Sequence, residues 1–324
     1  MKLRRKIREF KENIHRFFLR RELISQIKKL QGENVFSPPL AVSMETTNYC
    51  NGNCSFCPYG LQKHEKPKQA MPPDLSSSII RQCAELQIRT LDFTGFNEPL
   101  TDEKLTDRIK YAKAQGVEHT MFYTNGSLLD NKVSRELILS GLDEIHISVD
   151  GLCKAAYRRI RQGLIYDVVR NNVESFKQAR DSLNMSKPKV YLNVALNKQE
   201  LELDKTEHAN SWRAFVDEIV YVPIIRWAYE CVKEKGHIYP CHSLWHTMLI
   251  SVDAKVYLCC MDFEKKFILG DLNKSSIMDI WNSEKLAKIR KAHLDRFRKR
   301  EFYCDACHWT KDVSNWRFMK GINI

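Results

Sequence analysis

Residues 41–57 read AVSMETTNYCNGNCSFC. The run opens with apolar and β-branched side chains over residues 41–46 and passes into a loop in which Cys50, Cys54 and Cys57 stand in C-x3-C-x2-C spacing. A strand that delivers three thiolates to one loop can ligate three irons of a cubane cluster, and the fourth iron is then left without a protein ligand. Metal chemistry occurs at open coordination positions, as in a catalytic zinc site that keeps one place for substrate. Zinc itself would ask for a fourth ligand here, and His64 is the candidate.

Outward from this loop, strands alternate with helices. Short apolar or β-branched runs stand at 41–46, 90–94, 119–124, 144–149, 190–196 and 218–222, with helical stretches at 74–87, 102–115, 131–140, 166–181 and 205–214. That alternation predicts a parallel α/β sheet. Periodicity fits an open or partial barrel and a flat doubly wound sheet equally well.

The ends of the chain differ from this middle. Residues 3–30 predict an amphipathic helix, with Leu3, Ile7, Phe10, Ile14, Phe17 and Ile24 at helical spacing. Residues 1–31 hold eleven Lys and Arg against three Glu, so this segment supplies +8 of the net charge of +12. Such a helix can touch an anionic membrane surface or a partner, and packing on the body with its charges solvated is the simpler reading. The rest of the chain is only mildly basic and gives no nucleic-acid footprint. No secretory signal or membrane span is read, which points to the cytoplasm and to reduced thiols rather than disulfides.

From about residue 236 the pattern is a hairpin (248–252 and 254–258), a helix at 275–291 and a second cysteine set: Cys241, Cys259, Cys260, Cys304 and Cys307. Four such thiolates suit either a structural zinc or an iron–sulfur cluster. The expected organisation is therefore an extension over 1–39, an α/β body over 40–230 and a small metal-stapled domain over 231–324. Cys83 fits the apolar pattern of the first helix of the body, whereas Cys153 and Cys231 give no signal.

C-x3-C-x2-C with an aromatic before the last cysteine resembles the signature of the radical S-adenosylmethionine superfamily. Thr94-Gly95-Phe96-Asn97-Glu98-Pro99 resembles its GGEP motif, with Phe96-Asn97 in place of the second glycine. Thr124-Asn125-Gly126 resembles its TNG segment, and Ser148-Val149-Asp150-Gly151 with Tyr157, Ile160, Arg161 and Gly163 its fourth-strand segment. The matches run in family order over about residues 40–222. The resemblance implies a partial (β/α)6 TIM-type barrel, with a [4Fe-4S] cluster on Cys50, Cys54 and Cys57 that binds and reductively cleaves S-adenosylmethionine to a 5′-deoxyadenosyl radical. It further implies that Glu98 takes the methionine ammonium, Arg161 the carboxylate, Ser148 and Asp150 the ribose or methionine portion, and that Phe56 lies near the adenine.

The segment ending Cys259-Cys260-Met261-Asp262, followed by Gly270-Asp271-Leu272, Ile280-Trp281-Asn282 and a late C-x2-C, resembles a SPASM/Twitch domain in its one-cluster form. That form implies an auxiliary [4Fe-4S] cluster on Cys241, Cys259, Cys304 and Cys307. Ala254 stands where the family has glycine five residues before its ligand, which selects Cys259 over Cys260. Cys260 is left as a candidate hydrogen donor or a neighbouring thiol.

Three fates of a substrate radical follow: oxidation of a carbohydrate or aminocyclitol-type small molecule, epimerisation with Cys260 as donor, or cross-linking of a peptide, which ranks last because the N-terminal extension is short. Flavodoxin or ferredoxin would supply the electron. The non-enzymatic alternative is a zinc-stapled binding protein with a basic arm. It accounts for Cys304 and Cys307 but not for a three-ligand set.

Overall fold

The computed structural model describes residues 36–62, 67–224 and 240–294, together with Cys304 and Cys307. The expected helix over 3–30, His64, Cys231 and most of the expected boundary near 224–240 lie outside the described residues.

Six strands form the body: β1 (Ala41–Met44), β3 (Thr90–Asp92), β4 (His119–Thr124), β5 (Glu144–Ser148), β7 (Lys189–Leu196) and β8 (Glu218–Pro223). They pair in parallel and lie side by side in chain order. A doubly wound sheet reverses its strand order at a switch point. This one does not, and the choice left open by periodicity falls to the partial barrel.

Side chains alternate across the strands. In β7, Val190, Leu192, Val194 and Leu196 are fully buried on one face, and Tyr191, Asn193 and Ala195 are half-buried on the other. The apolar face receives α2 (Pro73–Glu85), α3 (Leu105–Ala114), α4 (Asn131–Leu139) and α6 (Tyr166–Ser182), whose Ile79, Ile109, Leu137, Val173 and Phe176 join the strands in one core. Cys83 is buried there too. Each such side chain contributes about 1.5–3 kcal/mol by leaving water. The opposite face is polar, with Ser43, Asp92, Tyr123, His146 and Asn193 at its alternate positions.

Two short strands, β2 (Asn53–Cys54) and β6 (Arg161–Gln162), pair antiparallel and tie the cysteine loop to the end of α5 (Lys154–Ile160). The remaining helices of the body are α1 (Pro58–Gln62) and α7 (Thr206–Trp212).

The C-terminal region continues the same sheet. After α8 (Ser243–His246), β9 (Thr247–Ile250) pairs parallel with β1, and β10 (Lys255–Tyr257) and β11 (Ile268–Asp271) follow antiparallel. Without β9, β1 would be an open edge with unpaired backbone groups. The expected hairpin turns through Ala254, whose φ of 63° is the left-handed conformation that favours glycine. The expected single helix over 275–291 is two, α9 (Ile277–Trp281) and α10 (Glu284–Leu294). Ser276 and Asp279 form a capping box on α9, and in the break after it the Asn282 side-chain Oδ1 accepts from Phe36 N–H at 2.8 Å.

Candidate functional site

The first cysteine loop sits at the C-terminal end of β1 and is held by hydrogen bonds to the segments that follow two neighbouring strands, β3 and β4. Glu98 N–H donates to Tyr49 O at 2.9 Å. The buried Glu98 carboxylate accepts from Thr124 Oγ1 at 2.6 Å, Asn125 N at 2.7 Å and Leu100 N at 3.2 Å. Asn125 Nδ2 donates to Asn51 Oδ1 at 2.8 Å, and Asn51 Nδ2 donates to Ser127 Oγ at 2.8 Å. The Thr124-Asn125-Gly126 and Glu98-Pro99 segments are thus built into the cysteine loop. Sequence reasoning placed Thr124, Asn125 and Asn51 in motifs but missed their part in fixing that loop.

On the other side, Arg161 is the strand partner of Cys54. Its Nε donates to Asp150 Oδ2 at 2.6 Å, while Asp150 Oδ1 accepts from Ala195 N at 2.9 Å. The Arg161 guanidinium lies 6.0 Å from the centre of the Phe56 ring. Gly151 allows the turn between β5 and α5: its φ is 82°, and a Cβ there would stand 2.5 Å from the Ala156 Cβ. Ser148 ends β5, half-buried and in register with Asn193. The structure therefore brings Cys50, Cys54, Cys57, Glu98, Asp150, Arg161 and Phe56 to one end of the barrel.

Electrostatically, this end is suited to cations. Burial, and after it the nearby charge of Glu98, pushes the Cys50 thiol up to about 12. Burial also raises Cys54, against the opposing pull of Arg161, and raises Cys57. Three crowded thiols lose their protons when a metal supplies the compensating charge. Burial raises Glu98 as well, despite its three donors, so a cationic ligand group beside it would be strongly favoured.

The second set converges too. Cys241, Cys259, Cys260, Cys304 and Cys307 line one cavity. Asp262 shapes the loop after β10: its carboxylate accepts from Lys266 N at 3.0 Å and Phe267 N at 2.9 Å. Cys241 N–H donates to His293 Nδ1 on α10 at 3.2 Å. Cys260 is exposed and lines this same cavity. Among the described residues, no three His, Cys, Asp or Glu side chains converge closely enough for a single metal ion. A four-iron cluster asks for less convergence, because each thiolate binds its own corner. The donor chemistry of both sets fits such clusters.

Between the two cysteine sets lies a polar group that sequence reasoning missed. Glu45, at the end of β1, is buried, pairs with Lys265, and accepts from Phe96 N at 3.0 Å. Gly95 permits this approach, since a Cβ there would lie 2.7 Å from the Glu45 Cβ. The alternation of polar residues at inward strand positions was the available signal.

A partial barrel with three thiols on its first loop and a second thiol set beside its first strand defines an iron–sulfur, S-adenosylmethionine-binding enzyme. The chain carries a radical SAM domain and a SPASM domain: the profile of the radical SAM superfamily matches residues 44–186, and that of the SPASM iron–sulfur cluster-binding domain matches residues 241–308. Among curated relatives, GTP 3′,8-cyclase of Chlorobaculum tepidum is 30% identical over 145 residues, 44% of this chain and 40% of that protein. The chain thus spans about two-fifths of the length of the first such relatives it matches. The tungsten-containing aldehyde ferredoxin oxidoreductase cofactor-modifying protein of Pyrococcus furiosus is 21% identical over 303 residues, 76% of this chain and 82% of that one. Among solved structures, BtrN in complex with AdoMet and 2-DOIA superposes with a TM-score of 0.56 at 18% identity, covering 85% of this chain and 93% of its own. SuiB of Streptococcus suis bound to precursor peptide SuiA gives 0.63 at 15%, covering 90% and 74%. At these identities the structural likeness speaks to fold.

Proposed function

We propose that this protein cleaves S-adenosylmethionine reductively and oxidises a carbohydrate or aminocyclitol-type small molecule by two electrons. The observation that carries the reading is the pair of thiol sets on one continuous sheet, one with three ligands and one with four, Cys241, Cys259, Cys304 and Cys307. When bound, the clusters and S-adenosylmethionine supply the redox chemistry: one-electron cleavage to a 5′-deoxyadenosyl radical, hydrogen abstraction from a substrate C–H, and a sink for the second electron.

The chain's own residues bind and orient. Cys50, Cys54 and Cys57 hold the first cluster. Glu98 takes the methionine ammonium, with Thr124 and Asn125 fixing its carboxylate. Arg161 takes the carboxylate of the cofactor. Asp150 has one oxygen on Arg161 and the other on Ala195 N, which supports a part in aiming Arg161 as well as contact with the ribose portion. Ser148 and Phe56 complete the cofactor's surroundings. Fixing the reacting atoms in this way supplies catalytic power without further chemistry from the protein.

Epimerisation is the second reading. It needs Cys260 to face the substrate, and the position of that thiol among the second cysteine set supports a role beside the auxiliary cluster instead. Peptide modification draws support from likeness to SuiB bound to its precursor peptide and to anSMEcpe bound to a peptide, a likeness of fold alone. Flavodoxin or ferredoxin remains the proposed electron donor and the cytoplasm the proposed location. No helix among the described residues is long and apolar enough to cross a membrane.

The test is to reconstitute the protein anaerobically, count iron and follow label. About eight irons per chain, with deuterium passing from a C-deuterated cyclitol, aminocyclitol or sugar into 5′-deoxyadenosine, is the expected result. Colourless protein with stoichiometric zinc would sink the reading.

A further inference from the structure

Among the described residues, the carboxylates on the inward face of the sheet are not equivalent. Glu45 is paired with Lys265. Glu144 is paired with His119 at 3.3 Å and His146 at 3.1 Å. Asp92, at the end of β3, has only uncharged hydrogen-bond partners: its Oδ1 accepts from Thr94 N at 3.0 Å and its Oδ2 from Ser43 Oγ at 3.3 Å. Among the described residues no Lys or Arg pairs with it.

Around Asp92 the inner wall is aromatic and hydrogen-bonding. The His146 ring is sandwiched between Tyr123 and Tyr191, each at 4.5 Å between centroids. Its Nε2 faces Glu144 and its Nδ1 lies 3.1 Å from Asn193 Nδ2, so His146 is held rigidly. Tyr123 is 38% exposed, so this wall is open to small molecules. Toward the second cysteine set, the buried Tyr257 phenol lies within electrostatic reach of Glu45, Cys259, Cys260 and Asp92. Asp92 thus stands between the Thr94–Glu98 loop and the second cysteine site.

We propose that Asp92 binds a substrate hydroxyl and accepts its proton, and that the substrate is a hydroxyl-bearing small molecule without phosphate groups. This rests on the oxidation reading above. A rigid aromatic wall with one unpaired carboxylate suits a polyol ring, offering apolar contact to C–H faces and an acceptor to O–H edges. A nucleoside triphosphate, by contrast, needs several cations to match its charge, and among the described residues Lys265, beside this wall, is already paired with Glu45.

The step balances. The carbinol hydrogen atom goes to the 5′-deoxyadenosyl radical and gives 5′-deoxyadenosine. The hydroxyl proton goes to Asp92, the remaining electron goes to the oxidised auxiliary iron–sulfur cluster, and the product is a ketone. Asp92 is fitted to this, because burial pushes its carboxyl up to about 6 while Thr94, His146 and Ser43 hold it down. It is ionised at neutral pH and basic enough to take a proton.

The test uses the reconstituted full chain with C-deuterated cyclitols, aminocyclitols and sugars, and with GTP. Wild type passes deuterium to 5′-deoxyadenosine from a non-phosphorylated member and forms its ketone, with kcat/KM falling as pH drops through about 6. The groups facing Asp92 across that range are Ser43 and Glu45 of the β1 side, Tyr123 of β4, Glu144 and His146 of β5, and Tyr257 of β10. D92N, checked for iron content and circular dichroism, loses ketone formation at least about 100-fold and binds the same molecule about tenfold more weakly by equilibrium dialysis. Should D92N not fold, Ser43→Ala serves: removing a donor to the carboxylate moves the acid limb to higher pH. Tight GTP binding, or no deuterium transfer from any polyol in wild type, overturns the small-molecule reading and this inference together. Wild-type ketone formation by D92N, or an acid limb that stays fixed in Ser43→Ala, overturns the role of Asp92 alone.

Discussion

Glu98 shows how one side chain ties chemistry to fold. Its carboxylate takes three protein donors, and its own N–H fixes Tyr49, the residue before Cys50. Glu98→Gln sets an amide N–H2 against donors already in place and removes the charge that an ammonium would meet. Binding of S-adenosylmethionine to the cluster-loaded protein should weaken about 10–100-fold, read by equilibrium dialysis, and unchanged affinity would contradict the assignment. At this scale the cysteines were legible because their spacing is a covalent fact of the chain. The inward residues Asp92, His146 and Asn193 were not, because a polar residue in a strand reads alike whether it faces solvent or a chamber. Only the register of β3, β4, β5 and β7 gathers them.

Among the elements, the hairpin of β9 and β10 carries a strained residue. Ala254 adopts φ 63°, and Ala254→Gly should raise stability by about 0.5–1 kcal/mol, seen as a higher denaturant midpoint; a lower midpoint would show that the turn is not strained. A second element-level device is Asp143, between α4 and β5, which takes Lys113, Lys187 and the N–H of Thr120. Burial works against its charge, but these partners outweigh it and hold the carboxyl down at about 2. A depressed carboxylate contributes stability that is fully present above its unfolded value of about 3.9 and is lost as pH falls toward 2. Asp143→Asn should therefore cost about 2 kcal/mol at neutral pH and progressively less below pH 4. A cost independent of pH would contradict the ion-pair account. The six strands were legible from β-branched runs, but the joining of β9 to β1 was not, since parallel pairing between residues 41–44 and 247–250 leaves no local pattern.

Across the whole molecule, the sheet places one thiol set beyond the end of β1 and the other beside the strands that pair with it. Cys50, Cys54 and Cys57 lie on the loop beyond its C-terminal end, and Cys241 and Cys259 flank α8, β9 and β10 alongside it. A small C-terminal region therefore reaches the barrel through backbone pairing rather than a linker alone, which keeps two redox centres at a fixed separation. The order of the motifs along the chain made the superfamily legible. The polar inner face of the sheet was not, because it is assembled from single residues on separate strands.

The central claim is that the loop Cys50–Cys57 holds a cluster whose open iron binds and cleaves S-adenosylmethionine. The most direct measurement is 5′-deoxyadenosine formed by the anaerobically reconstituted, chemically reduced protein, compared with its Cys54→Ala variant. The account predicts 5′-deoxyadenosine and methionine in equal amounts from the wild type and none from the variant. Undiminished 5′-deoxyadenosine from Cys54→Ala would contradict it.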